Sequence, residues 1–527
     1  MNTGKHSQSV GILGILIGFA FVGITPGQEP AEKGPSSAES AKVIASLIDR
    51  HIADKLREEK LDASPRCSDA EFARRVSLDI VGVIPTADAA RAFLDSTDPN
   101  KRERLIDELL ADPRYGQHLA DIWQALLLPK VSDARRIQTQ PFTEWLRDSF
   151  NENKPWDQMV TELLTATGSP EENGAAVYWL ANQTVDMVTG SVSRLFLGMQ
   201  LQCAQCHNHP FTGWKQEEYW GLAQFFMKVR FEGNPRQNGT AVVTESERGR
   251  RPMLPEGVKQ VPPRFFQGEQ PTLSRSEPYR PVFARWLTSP DNPFFAKAMV
   301  NRIWGQLFGR GLVHPVDDMR PDNPASHPEL LDDLARHFIA SGFDVKGLIR
   351  AICLSETYQR SSKPHGNNDS DATYFSHRTV TPLTPEQLYD SLQQVVGSPS
   401  APPQRGGNPA AKNPNQANAR AQFVAFFQAD ESGDPAEYQA GIPQALRLMN
   451  SPQLNRGGVL VEEAMRRHST TEARVEHLFL GTLSRRPSEA ELQRFGDHVR
   501  KSGSNERNGL NDVLWVLLNS SEFVLNR

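Results

Sequence analysis

The sequence predicts a mainly α-helical protein, two helical domains joined by a Pro-rich irregular excursion, with a few short strands possible. Three observations carry this expectation. Apolar residues recur at three- and four-residue spacing over most of the chain. Sustained alternation of period two is nearly absent from the same stretches. The 38 prolines and 37 glycines act as frequent helix stops. Val43–Glu59 places Val43, Ile44, Leu47, Ile48, Ile52 and Leu56 on one helical face. Phe72–Ile80 continues that pattern, and Pro85-Thr86 turns into a helix through Phe93. Arg102–Leu110 is a short amphipathic helix stopped at Asp112-Pro113. Helices follow at Gln117–Leu128, Thr143–Asn151 and Trp156–Thr165, then at Thr184–Gln200, a long one that runs up to the first of two close cysteines, and at Glu217–Met227.

Residues 229–280 break the pattern. Seven prolines between Pro235 and Pro278 leave little helical periodicity, and alternation at Thr240–Thr244 and Val258–Val261 suits short strands. Helical patterning resumes from Pro281 to Tyr358, again from Thr384, and from Glu472 to Asn526. Residues 397–419 read as a low-complexity Pro/Asn/Ala/Gly loop. The domain reading is therefore 43–228 and 281–527, with 229–280 between them. An internal echo links Leu348–Tyr358 with Val513–Phe523: both are apolar helices that finish in Ser-Glu and an aromatic residue, as two helix ends with an aromatic staple would.

Composition narrows the function classes. The 527 residues carry 58 Lys+Arg against 63 Asp+Glu, a formal charge of -5. That balance excludes a strongly basic nucleic-acid-binding chain, and Arg248, Arg250 and Arg251 form only a small solvated cluster. A mean hydropathy of -0.50 excludes a polytopic membrane protein. The N-terminus reads as an export signal: Lys5 and His6 precede an apolar run from Val10 to Ile24, with polar Gln28-Glu29-Pro30 beyond. The run is shorter than the ~20 residues that span a bilayer comfortably. Residues 1–27 are thus a signal peptide or an uncleaved N-terminal anchor, 28–42 a polar linker, and the remainder periplasmic or otherwise extracytoplasmic. Membrane contact is expected only through that anchor.

The one motif with chemistry is Cys203-Ala204-Gln205-Cys206-His207, a C-x-x-C-H pentad in a chain with only four cysteines. Two thiols three residues apart on one turn reach the two vinyl groups of a porphyrin, and the adjacent histidine presents its imidazole to the iron from the same side. Cys203 and Cys206 would then be haem c anchors and His207 the iron ligand. Other readings stay open: a redox C-x-x-C pair, a zinc or copper site using Cys203, Cys206, His207 and His209, or a plain structural disulfide. Met187, Met199 and Met227 are candidates for a distal ligand, although methionines on helical faces usually belong to the core. Trp214 and Trp220 either wall a macrocycle or fill the core of the following helix.

Other signals are weaker. Asp317, Asp318 and Asp322 with His327 could form a cation or acid–base cluster, or cap helices and pair with Arg302, Arg310 and Arg320. Ser326-His327-Pro328-Glu329 has the spacing of a capping box. No nucleophile elbow, Walker loop, dinucleotide fingerprint or H-E-x-x-H occurs.

Phe196–Phe211, continuing through Trp214 to Tyr219-Trp220-Gly221, resembles the planctomycete cytochrome c-like domain of unknown function. Arg74-Arg75-Val76-Ser77-Leu78-Asp79-Ile80-Val81-Gly82-Val83-Ile84-Pro85-Thr86 is similar to that domain's N-terminal part. Pro293–Trp304 through Tyr358 looks like the companion domain that usually follows it, also of unknown function. The resemblance covers roughly 43–525 and implies an exported, helical, two-domain protein. Larger relatives often carry an extra N-terminal cytochrome domain with its own C-x-x-C-H, which is not seen here. The resulting expectation is a single-haem c-type-cytochrome-like protein in electron transfer, with an unknown redox partner. The alternative is a non-enzymatic binding or scaffold protein in which Cys203 and Cys206 are structural or hold a non-haem metal, and whose C-terminal domain docks an extracytoplasmic partner or polysaccharide.

Overall fold

Several helices begin where a side chain takes up one of the unpaired amides. Ser68 Oγ accepts from the Glu71 amide at 3.2 Å, and Thr86 Oγ1 from that of Ala89 at 3.2 Å. Thr384 and Ser488 form full capping boxes with Gln387 and Glu491. The computed structural model describes residues 37–129, 138–208, 213–233, 241–246, 261–397, 414–427 and 458–527. The export signal, His209–Phe211 and the Arg248–Arg251 cluster lie outside them. Among the described residues no helix is long and apolar enough to cross a membrane.

The helices of the first part are α1 (Ser37–Glu58), α2 (Asp69–Val81), α3 (Ala87–Asp95), α4 (Lys101–Ala111), α5 (Arg114–Leu127), α6 (Gln140–Asn151), α7 (Trp156–Thr165), α8 (Ala176–Ala181), α9 (Val185–Phe196) and α10 (Gln216–Ala223). The second part adds α11 (Arg280–Leu287), α12 (Phe295–Phe308), α13 (Pro328–Ala340), α14 (Val345–Leu354), α15 (Pro385–Val396), α16 (Pro414–Phe427), α17 (Val459–Arg467), α18 (Thr471–Leu483), α19 (Glu489–Lys501), α20 (Glu506–Leu518) and α21 (Ser521–Val524). Two small antiparallel pairs complete the described structure: β1 (Val229–Glu232) with β2 (Val242–Glu245), and β3 (Thr381–Pro382) with β4 (Leu525–Asn526).

Several expectations change in detail. The helix expected over Thr184–Gln200 stops at Phe196, because Gly198 adopts a left-handed φ of 69°. The helix expected over Glu217–Met227 ends at Ala223 and tightens into a 3-10 turn over Gln224–Phe226. Helix α16 begins inside the stretch read as a loop, where Arg420 bridges Asp121 at 2.6 Å and Asp390 at 2.7 Å. The Ser326/Glu329 capping box is absent: His327 is the N-cap residue, and Ser326 Oγ lies 3.0 Å from His327 Nδ1 instead. The strand expected at Thr240–Thr244 is present as β2, displaced by a residue or two.

Two apolar cores interlock. The larger gathers residues from Ala41 to Phe375, and the smaller joins Leu78, Ile84, Ala87 and Ala90 to residues from Leu383 to Phe523. Helix α2 belongs to both, and every residue from Phe72 to Val81 is buried. Within the larger core Trp156 joins early and late parts of the chain. It packs on Trp123 at 4.5 Å and on Phe295 at 6.5 Å, and its amide donates to the Phe343 carbonyl at 3.1 Å.

The sequence echo is a structural one. Ser355 Oγ donates to the Ile352 carbonyl at 2.7 Å and accepts the Tyr358 amide at 3.1 Å. Ser520 Oγ donates to the Leu517 carbonyl at 2.7 Å and accepts the Phe523 amide at 3.3 Å. Adjacent arginines of α2 grip the two turns. Arg75 donates to the Tyr358 carbonyl at 2.6 Å, Arg74 to the Phe523 carbonyl at 2.6 Å, and each guanidinium lies over the ring of the turn it holds.

Burial, the largest influence on each, pushes His118 and His327 down to about 4. Both fold neutral, whereas in the unfolded chain they take up protons near the ordinary histidine value of about 6.5. The unfolded state therefore binds more protons between those values, and stability falls as pH drops through that window. Urea titrations at pH 7, 6 and 5 should show the folding constant falling about threefold over the first step and about sevenfold over the second for each such histidine. His327→Phe should remove about one proton from that slope; an unchanged slope would contradict the assignment.

Candidate functional site

The C-x-x-C-H pentad sits on a 3-10 turn, Gln202–Gln205, directly after α9. Residues three apart explain its stance. Leu201 and Ala204 are buried in the larger core, which leaves Cys203, Cys206 and His207 on the solvent side. Gly190 of α9 lets the turn lie close, since a Cβ there would stand 3.0 Å from Gln202 Nε2. At Gly198 the second half of the chain makes contact: the Met319 amide donates to the Gly198 carbonyl at 2.8 Å.

The far end of the turn is braced by α10. The Gln205 carbonyl accepts from Trp220 Nε1 at 3.0 Å and from Gln216 Nε2 at 3.2 Å. Asn208 Oδ1 accepts from the Gln216 amide at 2.9 Å. Nothing in the motif's spacing announced this brace, because its central acceptor is a backbone carbonyl. Trp214, Tyr219 and Trp220 are buried in the core and do not wall an open slot. Burial chiefly, with the nearby Asp186 carboxylate added, raises the Tyr219 hydroxyl above its ordinary value. Met199 and Met227 are likewise core residues, and Met187 is half-buried.

Both motif cysteines are free thiols, so the structural-disulfide expectation is not met in this structure. His207 Nδ1 lies 2.8 Å from the Asn208 carbonyl oxygen. A carbonyl only accepts, so Nδ1 carries a proton, and in the neutral ring the lone pair then lies on Nε2, the arrangement that metal-bound histidines use. Among the described residues no three His, Cys, Asp or Glu side chains converge on a point that could hold a metal ion. A zinc or copper site needs that convergence. Covalent haem does not, because its sulfurs bond the ring edge while the imidazole alone meets the iron. Two thiols beside an imidazole are the donor set that covalent haem uses, while the zinc or copper reading also calls on His209, which lies outside the described residues.

The Asp317–His327 cluster does not assemble. Asp317 accepts from Gln200 Nε2 at 2.9 Å and pairs with Arg194 at 3.5 Å. Asp318 and Asp322 both face Arg320, at 3.2 and 3.6 Å. His327 is buried against the rings of Tyr374 and Phe375. These carboxylates act as structural partners, as the capping-and-pairing expectation had it, although Arg194 replaces two of the arginines named.

Residues 47–231 match the PSCyt2 family, described as a protein of unknown function (DUF1549), and residues 279–499 match the PSD1 family, likewise of unknown function (DUF1553). No curated protein and no solved structure matches the chain.

Proposed function

From its membership as a PSCyt2 domain followed by a PSD1 domain, the usual planctomycete two-domain arrangement, we propose that this chain is an exported c-type-cytochrome-like protein carrying one covalent haem in an electron-transfer role. Cys203 and Cys206 are the thioether anchors and His207 the iron ligand. The observation that carries the reading is the braced turn: two free, exposed thiols beside an imidazole whose Nδ1–H is engaged by the Asn208 carbonyl. Haem bound there supplies one-electron chemistry. The chain's own part is to hold the thiols outward on a fixed turn and to orient the imidazole through its Nδ1 contact with the Asn208 carbonyl. The Trp220–Gln205 bond keeps that turn from unwinding into solvent.

The experiment is expression of the full chain in a host that matures cytochromes c. Haem staining after denaturation, together with a Soret band, is the expected result. Cys203→Ala/Cys206→Ala should abolish the stain, while His207→Ala should keep some covalent stain but alter the Soret band. Absence of both stain and Soret band in the folded chain overturns the proposal in favour of the scaffold reading.

A further inference from the structure

The pair Cys206-His207 hangs between two residues that are both tied to the start of α10. Gln216, the first residue of that helix, gives its side-chain Nε2 to the Gln205 carbonyl at 3.2 Å and its main-chain amide to Asn208 Oδ1 at 2.9 Å. The helix end that supplies both bonds is itself closed, since the Lys215 amide donates to Glu218 Oε2 at 2.8 Å. Its body, Tyr219–Ala223, is buried. Cys206 and His207 are exposed, so without this bracket they would have the freedom of a surface loop.

Asn208 holds the more consequential end. Its main-chain oxygen lies 2.8 Å from His207 Nδ1, and its side-chain oxygen is the one that α10 grips. The first amides of a helix lack partners within the helix, and an asparagine side chain can accept from one of them where an alanine cannot. The two bonds thus share one residue: the anchor that steadies Asn208 steadies the carbonyl against which the imidazole is aligned. Partners that hold the far ring nitrogen of a metal-bound histidine set both its orientation and its basicity.

We propose that Asn208 is a positioning residue: by tying the turn to the first amide of α10 it sets the tautomer and plane of the His207 ring before any iron is bound, and the reduction potential of the site once haem is attached. The second half of that statement rests on the haem reading, and the first half does not.

The test reads the two halves separately in the full chain. In the haem-free protein carrying 15N-labelled histidine, ring spectra at pH 8, assigned with His207→Gln, should show a single Nδ1–H tautomer for His207. Asn208→Ala should mix the tautomers, and Asn208→Asp, which keeps an oxygen acceptor for the Gln216 amide, should restore the wild-type signal. Thr86→Ala, which removes the cap of α3, should lower thermal stability and leave the His207 signal alone. In the haem-loaded protein a weaker donor bond at Nδ1 makes the imidazole a poorer electron donor, so Asn208→Ala should raise the potential and favour the ferrous form about fivefold, as loss of one neutral hydrogen bond would. An unmixed tautomer in folded Asn208→Ala, or an unchanged potential in its haem-loaded form, overturns the proposal. Failure of every variant to take up haem counts against the haem reading alone, and the haem-free spectra then decide the positioning.

Discussion

Expressed without its partner, the segment 37–246 should fail to melt cooperatively and should expose enough apolar surface to behave as a collapsed, dye-binding chain. Its helices are built to be covered from the other half. Helix α1 packs along α13 and α14, and Asp49 takes the amides of Glu356 and Thr357 at 2.9 and 2.8 Å. Helix α3 packs on α18, and α2 is buried on all sides by both halves. A helix buried all round has no face suited to water, and removal of the second half would strand Arg74, Arg75 and Asp79 in a partly apolar surface. Far-UV circular dichroism should retain helix while the thermal transition broadens or vanishes. A sharp transition with slow amide exchange in the isolated segment would refute this expectation.

Asp79→Ala should destabilise the whole chain by about 3–5 kcal/mol, the range for deleting one partner of a buried ion pair. The Asp79 carboxylate accepts from the Tyr358 hydroxyl at 2.7 Å and from Asn526 Nδ2 at 2.7 Å, and faces the Arg378 guanidinium at 3.6 Å. Burial is the largest influence on both charges, raising Asp79 and lowering Arg378 against their mutual attraction. In the variant Arg378 keeps the desolvation and loses the anion. Asp79→Asn, which keeps an acceptor for Tyr358 but not the charge, should fall between wild type and Asp79→Ala in urea midpoint at pH 7. A shift below about 1 kcal/mol for Asp79→Ala would mean that Arg378 finds another partner, because an uncompensated buried charge costs more than that.

The helical class was legible because three- and four-residue periodicity survives in most elements; Trp156–Thr165 has the same bounds in sequence and structure. What periodicity missed has physical causes. Helix α8 was not expected, since Ala176–Ala181 is buried at every position and carries no amphipathic signal. The end of α9 was overrun because Gly198 lies inside an otherwise apolar run, and its role appears only when Met319 packs on it. For the site, the pentad was visible but its support was not. The tautomer of His207 and the Trp220 bond both depend on backbone carbonyls, which no residue pattern encodes. Arg74, Arg75 and Asp79 were visible only as part of a resemblance. Charged residues on a helix ordinarily read as a solvated face, and their partners lie hundreds of residues away.

That separation bears on how the chain comes to be closed. The Tyr358 and Phe523 carbonyls held by Arg75 and Arg74 lie 283 and 449 positions further along. At translation speeds of about 5–20 residues per second, the later of these emerges roughly 20–90 s after α2. The Arg75 acceptor is made first, and the Arg74 guanidinium waits for the Phe523 carbonyl until the end of the chain. The clasp that joins α2 to the end of the chain can therefore close only after nearly all of the polypeptide has been made.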